Sequence, residues 1–238
     1  MNLIVEIGNT ALKAALVEGT TLGRTFRYQG ERMVDFVISL VLREHPEVLG
    51  VASSYELSDI EMKRLESVCH EVVFLNKESY RAYDIPEYLS GDRAASLIAV
   101  RHMFAGKPVT VMDFGTTMTV DFIDAEGHYT GGTVSPGCRT RFKALSRYAK
   151  ALPMVGIPED PPAKGDSIQS SMEAGVINGM VFEIQGYISS NPDNVVVFTG
   201  GDAIYFVKRM KNSIFVICNL VLMGLAIITE ENVEKRLQ

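Results

Sequence analysis

Apolar and polar positions along the 238-residue chain follow two periods, one typical of strands and one typical of helices. In the first part of the chain, short apolar runs bounded by turn residues predict strands at residues 2–7, 11–17, 21–28, 48–52 and 72–75. Apolar residues three and four positions apart predict helices at residues 31–44, 57–69 and 92–105. Residues 76–91 have the composition of a loop.

The same order of elements begins again after Gly106-Lys107-Pro108. The pattern predicts strands at residues 109–114, 117–124, 128–135 and 194–199. It predicts helices at 138–149, 167–189 and 202–210, before a short strand and a final helix. Strands that alternate with helices are typical of α/β proteins. The sequence therefore predicts two duplicated α/β lobes, residues 1–107 and 108–238.

The two predicted lobes open on similar segments, LIVEIGNT at residues 3–10 and TVMDFGTT at residues 110–117, so that Glu6 corresponds to Asp113. The glycine that follows each acid lets the backbone approach a phosphate closely, and the carboxylate can hold a hydrated divalent ion. Glycine and asparagine are also favoured in ordinary hairpin turns, which explains either segment alone. Because both segments carry an acid at the same place, the pair favours two turns that hold the phosphates of a nucleotide.

A third segment, VVVFTGGDA at residues 195–203, is an apolar strand followed by glycines. Glycines between a strand and the start of a helix are typical of an anion or nucleotide site. Asp202 could equally be a helix N-cap. Two other nucleotide-binding patterns do not fit. The sequence has no P-loop, and Asp113-Phe114-Gly115 lacks the accompanying motifs of a protein kinase.

Composition and charge argue against several other classes of protein. The net charge of −6 and the pI near 5.3 argue against a general nucleic-acid-binding protein. The three cysteines have no CxxC spacing, which is typical of reduced thiols in a cytoplasmic protein, and the four histidines are too scattered for a zinc site. The most apolar stretch, residues 213–228, is shorter than the ~20 residues of a spanning helix, so no membrane span is expected.

Six ordered motifs make the sequence resemble the type III pantothenate kinases over nearly its whole length. The motifs are Glu6-Ile7-Gly8-Asn9-Thr10-Ala11-Leu12-Lys13; Tyr83, Pro86, Leu89 and Ser90-Gly91-Asp92-Arg93; Asp113, Gly115, Thr116, Thr119 and Asp121; Gly131-Gly132-Thr133-Val134-Ser135-Pro136-Gly137; Ala151-Leu152-Pro153; and Thr199-Gly200-Gly201-Asp202-Ala203. That family belongs to the sugar kinase, chaperone and actin superfamily. The resemblance therefore implies an α/β fold of two duplicated ribonuclease-H-like lobes.

The resemblance implies transfer of the γ-phosphate of ATP to the 4′-hydroxyl of pantothenate, the first step of coenzyme A biosynthesis. Asp92 would be the general base that accepts the hydroxyl proton. The residues that would hold ATP with its Mg²⁺ are Glu6, Ile7, Gly8, Asn9, Thr10, Ala11, Leu12, Lys13 and Thr116. The residues that would line the pantothenate pocket are Tyr83, Ser90, Gly91, Asp92, Arg93 and Ile168. Asp113 would bind a monovalent cation, K⁺ or NH₄⁺, and the protein would be a homodimer.

Three positions depart from the family pattern. Glu6 stands where the family has Asp, Ser90 where it has Gly, and Ile168 where it has Thr. These departures leave two alternatives open. One is a catalytically weak relative that binds nucleotide or an acidic metabolite as a regulatory protein, and the other is a kinase acting on another small hydroxylated acid. The retained Asp92 and Asp113 favour the pantothenate kinase.

Overall fold

The first structural unit contains a five-stranded mixed sheet. The computed structural model describes residues 1–237, and this unit comprises Met1–Ala105 with the segment that begins at Asn219. Its strands are β1 (Asn2–Ile7), β2 (Leu12–Glu18), β3 (Thr21–Tyr28), β4 (Val48–Ser53) and β5 (Glu71–Leu75). Its helices before residue 106 are α1 (Met33–Glu44), α2 (Asp59–Glu66), α3 (Lys77–Tyr80) and α4 (Gly91–Met103), with a 3₁₀ turn at Arg81–Tyr83.

The second unit, Gly106–Cys218, contains another five-stranded sheet. Its strands are β6 (Val109–Phe114), β7 (Thr117–Ile123), β8 (Tyr129–Pro136), β9 (Val195–Thr199) and β10 (Phe215–Val216). Its helices are α5 (Cys138–Tyr148), α6 (Ile168–Ser190) and α7 (Ala203–Val207). The last helix of the chain, α8 (Leu220–Leu237), belongs to the first unit.

Both sheets have the same topology. The strand order is β3-β2-β1-β4-β5 in the first and β8-β7-β6-β9-β10 in the second. In each sheet the first strand pairs antiparallel with the second and parallel with the fourth. The first strand is therefore central, and its apolar side chains are buried, as the continuous apolar runs at residues 2–7 and 109–114 predict. The predicted α/β class, with two lobes of one topology, is confirmed.

The final helix differs from the predicted division of the chain, which assigned residues 108–238 to the second lobe. Helix α8 packs against α4 of the first unit, where a Cβ on Gly224 would lie only 1.9 Å from the carbonyl oxygen of Ala95. It also packs against β4, where a Cβ on Gly50 would lie 2.3 Å from Thr229 Oγ1. The sequence pattern assigned this helix to the second lobe because it directly follows the elements of that lobe in the chain. The order of elements does not determine which sheet a terminal helix covers.

Short elements account for other differences from the predicted pattern. The loop predicted at residues 76–91 contains α3, whose N-cap Asn76 accepts hydrogen bonds from the amides of Glu78 and Ser79. A single helical turn is too short to display an apolar period. The apolar stretch at residues 213–228 divides into β10 and the first half of α8. No helix within residues 1–237 is both long enough and apolar enough to cross a membrane.

Gly224→Ala should destabilise the first unit, because the added methyl group would meet backbone rather than a movable side chain. We expect a loss of about 1–3 kcal/mol in the free energy of unfolding, the usual cost of overpacking. Gly186→Ala on α6 is the matched control, since a Cβ there meets nothing within 4 Å and alanine favours a helix. Urea denaturation of both variants checks the prediction, and a Gly224→Ala protein as stable as the native one would contradict it.

Candidate active site

The carboxyl ends of three parallel strands and the start of α4 meet at one edge of the first sheet. Strand β4 is parallel to β1 and to β5, so these ends share an edge. Helix α4 begins against them: a Cβ on Gly91 would lie 2.9 Å from the nitrogen and 3.0 Å from the oxygen of Ser53, and 3.0 Å from the oxygen of Leu75. Glycine at this position is what allows the helix to begin directly at the strand ends.

Asp92, the second residue of α4, accepts three hydrogen bonds. Ser54 Oγ donates to its Oδ2 at 2.5 Å. Ser90 Oγ donates to its Oδ1 at 2.5 Å, and the backbone amide of Arg93 donates to the same oxygen at 2.9 Å. The carboxylate is therefore held from two sides, by a residue that follows β4 and by the first turn of its own helix. A helix N-terminus also favours a negative charge.

Glu6 and Lys13 lie opposite each other on β1 and β2. Lys13 Nζ is 3.6 Å from Glu6 Oε2, an ion pair that is longer than a hydrogen bond. Burial raises the pKa of Glu6, Lys13 opposes that rise, and the negative charge of Asp92 adds to it. The electrostatic coupling places Glu6, Lys13 and Asp92 in one charged cluster at the sheet edge.

Glu6 also fits a divalent cation. Its Oε2 is buried and accepts no hydrogen bond from any described residue, with Lys13 Nζ 3.6 Å away. Mg²⁺ takes oxygen ligands and is usually bound through one or two carboxylates together with phosphate oxygens and water. No group of three or more His, Cys, Asp and Glu side chains in the described part of the chain is arranged to hold a metal ion. The residues present fit an Mg²⁺ ion that takes most of its ligands from phosphates and water.

The turn between β1 and β2 is closed by a hydrogen bond from the amide of Gly8 to the oxygen of Ala11, at 3.0 Å. A Cβ on Gly8 would lie 2.7 Å from that oxygen, so the turn needs glycine there. The two residues between them are exposed. The side chains of Ile7 and Leu12 are fully buried. Only the backbone atoms of Ile7 and Leu12 could therefore contact a phosphate.

Tyr83 closes the 3₁₀ turn that precedes α4. The guanidinium of Arg101 donates to the oxygen of Tyr83 at 2.5 Å and to the oxygen of Asp84 at 3.2 Å. Asp84 has a left-handed conformation, with φ of 50°. Burial, followed by the charge of Glu231 on α8 and a hydrogen bond with it, raises the pKa of Tyr83 to about 12. The Tyr83 hydroxyl therefore stays protonated at neutral pH and is directed towards the final helix.

Tyr80 fixes the segment that leads into α4. Its hydroxyl donates to the oxygen of Leu89 at 3.1 Å, and its side chain is almost fully buried. Burial and the negative charge of Asp92 raise the pKa of Tyr80 to about 12. Because Leu89 directly precedes Ser90, this buried contact holds the backbone from which the first donors to Asp92 come.

In the second unit, Asp113 lies at the equivalent end of β6. A Cβ on Gly200 would lie 2.3 Å from Asp113 Oδ1 and 2.6 Å from the backbone nitrogen and oxygen of Phe114, and Gly200 has φ of +89°. The glycine therefore permits both the left-handed turn after β9 and its close approach to the carboxylate. The sequence motifs that contain Asp113 and Gly200 are brought together at one end of this sheet.

Thr116 lies in the exposed turn between β6 and β7, and its backbone oxygen is a shared acceptor. The amide of Gly137 donates to it at 3.0 Å and Thr140 Oγ1 donates at 2.7 Å. A Cβ on Gly137 would lie 2.1 Å from the oxygen of Gly115. The start of α5 therefore packs directly onto the turn, as the start of α4 packs onto strand ends in the first unit.

Asp202 occupies the N-cap position of α7, but its side chain makes no capping hydrogen bond. Its own amide donates to the oxygen of Phe114 at 3.1 Å. Burial raises the pKa of Asp202, and Arg139 opposes that rise. Burial and Asp202 also raise the pKa of Cys138 to about 12. This thiol is protonated at neutral pH, so it is not a nucleophile.

Ile168 is exposed at the first position of α6, in the second unit, whereas Tyr83 and Ser90–Arg93 all lie in the first. It lines a groove of about 1350 Å³ in the second unit, together with residues of α5 such as Leu145 and Tyr148. The residues predicted to line the pantothenate pocket are therefore divided between the two units, and neither unit by itself contains all of them.

Ser54 is the residue of this site that the sequence motifs do not include. It directly follows β4 and contacts Asp92, which is 38 positions later in the chain. Two small polar residues, Ser53-Ser54, directly follow the strand predicted at residues 48–52. That pattern was the available signal, because functional side chains of α/β proteins gather at the carboxyl ends of parallel strands.

Comparison with known proteins identifies the family of the chain. The type III pantothenate kinase family profile matches residues 2–190. A type III pantothenate kinase from Phocaeicola vulgatus is 37% identical over 234 residues, covering 94% of this chain and 96% of its own. One from Cytophaga hutchinsonii is 37% identical over 242 residues, covering 98% of this chain and 100% of its own.

Solved structures share the fold. A Baf family protein from Campylobacter jejuni superimposes with a TM-score of 0.68 at 19% identity, covering 98% of this chain and 99% of its own. A ROK hexokinase from Thermus thermophilus superimposes with a TM-score of 0.55 at 13% identity, also covering 98% and 99%. At these identities the likeness is one of fold alone. The family profile and the close relatives carry the assignment, and they establish that this chain belongs to the type III pantothenate kinase family.

Proposed function

We propose that this protein transfers the γ-phosphate of ATP to the 4′-hydroxyl of pantothenate, opening coenzyme A biosynthesis. The observation that carries the proposal is Asp92, whose two carboxylate oxygens are held by Ser54, Ser90 and the amide of Arg93 beside the Glu6–Lys13 pair. A fixed carboxylate next to a phosphate-binding turn is the arrangement that phosphoryl transfer to a hydroxyl requires.

In this proposal Asp92 accepts the proton of the pantothenate hydroxyl while the hydroxyl oxygen bonds to the γ-phosphorus and ADP leaves. The turn at Gly8–Ala11 and the ammonium group of Lys13 hold the phosphates. Mg²⁺, when bound, neutralises developing charge on the phosphate oxygens, and Glu6 Oε2 is the oxygen that would hold it. Catalysis of this kind depends mainly on positioning and on charge neutralisation.

The pantothenate pocket and the monovalent cation are part of the same proposal. Arg93, Tyr83 and Gly91 would line the pocket, and arginine is well suited to the carboxylate of pantothenate. Asp113 would bind K⁺ or NH₄⁺. The carboxylate at the end of β6 supports a cation site there, since such ions take oxygen ligands.

We further propose a homodimer in the cytoplasm. The second unit carries large apolar side chains on its surface, with Tyr148 81% exposed, Met154 70% and Phe182 68%. Exposed apolar side chains of this size are common at protein–protein interfaces. The three cysteines are free thiols, which favours a reducing compartment.

The alternative is a catalytically weak relative that binds nucleotide without efficient turnover. The buried carboxylate of Glu6 favours it, because burial raises the pKa of Glu6 and the protonated form is a poorer ligand for a cation. A coupled assay for ADP release with pantothenate, run beside calorimetric measurement of ATP binding, separates the two functions. Nucleotide binding with no pantothenate-dependent ADP release would support the alternative.

Asp92→Asn should lower kcat by roughly 10²–10⁴-fold, the usual contribution of general acid–base catalysis. ATP should still bind with native affinity, because the β1–β2 turn is unchanged. Asp59→Asn, an exposed residue in the first turn of α2, is the matched control and should keep native activity. Near-native kcat in the Asp92→Asn variant would remove this residue from the role of base.

Glu6→Asp should leave kcat unchanged or lower it, because the shorter side chain withdraws the carboxylate by about one carbon–carbon bond of ~1.5 Å. We expect the turn that follows to have adjusted to the longer glutamate, since the glycine at position 8 leaves its backbone adjustable. Measurements use saturating ATP, Mg²⁺ and pantothenate, since a misplacement of about 1 Å can cost ~10²-fold in rate. A gain of about tenfold or more would instead show that Glu6 impairs the native protein.

Activity should rise when Na⁺ in the buffer is replaced by K⁺ or NH₄⁺, and Asp113→Asn should flatten this response. Asp193→Asn, an exposed residue elsewhere in the second unit, should respond to the salts as the native protein does. The measurement is kcat in three chloride salts at one ionic strength. Equal native rates in all three salts would contradict the cation site.

A further inference from the structure

We infer that Ser54 is a positioning residue for Asp92. Its hydrogen bond orients the carboxylate so that Oδ2 is the oxygen that takes the proton from the substrate hydroxyl. The inference rests on the proposed function, because it describes how the same site works. The family motifs do not contain Ser54, and among residues 1–237 it is the one donor to Asp92 that comes from outside α4 and its N-cap.

The distribution of donors distinguishes the two oxygens of Asp92. A carboxylate oxygen offers two lone pairs in the plane of the group. Among the described residues, Oδ1 accepts from both Ser90 Oγ and the amide of Arg93, which fills its two positions. Oδ2 accepts from Ser54 Oγ at 2.5 Å and keeps one position open. The open position is where a further hydroxyl can donate.

Ser54 is itself fixed by the phosphate-binding turn. Its amide donates to the oxygen of Ile7 at 2.9 Å, immediately before Gly8. Its Oγ would lie 4.0 Å from a Cβ placed on Gly8. The hydroxyl therefore lies between the β1–β2 turn and Asp92, so the residue that orients the base is held by the strand that leads into the nucleotide turn.

Proton transfer to Oδ2 is compatible with this contact throughout the reaction. The substrate O–H bond breaks as its oxygen bonds to the γ-phosphorus, and the bond from phosphorus to the ADP oxygen breaks. The proton passes to Oδ2, and Asp92 becomes a neutral carboxylic acid. The other in-plane position of Oδ2 still accepts from Ser54, so the base does not have to rotate between the start and the end of the step.

Ser53 provides a matched comparison at the neighbouring position. Its Oγ donates to the oxygen of Ile7 at 3.3 Å and accepts from the amide of Tyr55 at 3.2 Å. Neither contact involves Asp92. Removal of the Ser53 hydroxyl therefore perturbs the same strand end and loses two hydrogen bonds, against one for Ser54, but leaves the donors to Asp92 intact.

The experiment compares Ser54→Ala, Ser54→Thr and Ser53→Ala in full-length protein, with pantothenate and ATP as substrates. For Ser54→Ala we expect kcat to fall about 10- to 100-fold, as for a misoriented catalytic group, with the KM for pantothenate changed less than about threefold. Ser54→Thr keeps the hydroxyl and should recover most of the lost kcat. Ser53→Ala should keep native kcat, and all three should bind ATP and melt as the native protein does.

Three results would overturn the inference while the proposed function stands. They are native kcat in Ser54→Ala, an equal loss in Ser53→Ala, and a change in KM that replaces the change in kcat. A fourth such result is a loss of kcat accompanied by a loss of ATP binding or of thermal stability, because the residue would then be structural. A native protein that releases no ADP in response to pantothenate overturns the proposed function, and this inference with it.

Discussion

Helix α4 begins in contact with the ends of β4 and β5, and the backbone there leaves room at Gly91 for a hydrogen atom and nothing larger. This close approach sets where Asp92 lies relative to the ends of the strands. It places Asp92 within reach of the serine that follows β4, and it directs the first turn of the helix at the edge where β1 ends. A helix displaced by the width of one methyl group would separate Asp92 from the serine that follows β4.

The second unit uses the same construction with its parts rearranged. Gly137 and Gly200 bring the start of α5 and the turn after β9 against the end of β6. Each unit has one acid on its central strand, Glu6 or Asp113, and one at the start of a helix, Asp92 or Asp202, but α4 follows the fifth strand of its sheet whereas α7 follows the fourth. The duplication thus preserves the backbone framework, while the chemistry depends on which element of each copy carries the acid.

Much of this arrangement could be predicted from local pattern. Short apolar runs marked the strands, and a glycine two residues after an acid marked both turns, because strand burial and turn conformation are decided by neighbours in sequence. The Ser54–Asp92 contact and the direction of the Tyr83 hydroxyl towards Glu231 could not be predicted, since both depend on how distant elements pack. The family motif identified Tyr83 but carried no information about the helix that holds it.

The return of α8 to the first unit has a consequence for how the protein is made. A ribosome completes residues 106–218, a contiguous unit, before it synthesises the helix that covers the first sheet. Until then the surfaces around Gly50 and Ala95, on which α8 packs, are not covered. Tyr83 also lacks its hydrogen-bond partner Glu231. The part of the chain made first is therefore the part that finishes folding last, and its exposed apolar surface is at risk of aggregation for as long as translation of the second unit takes.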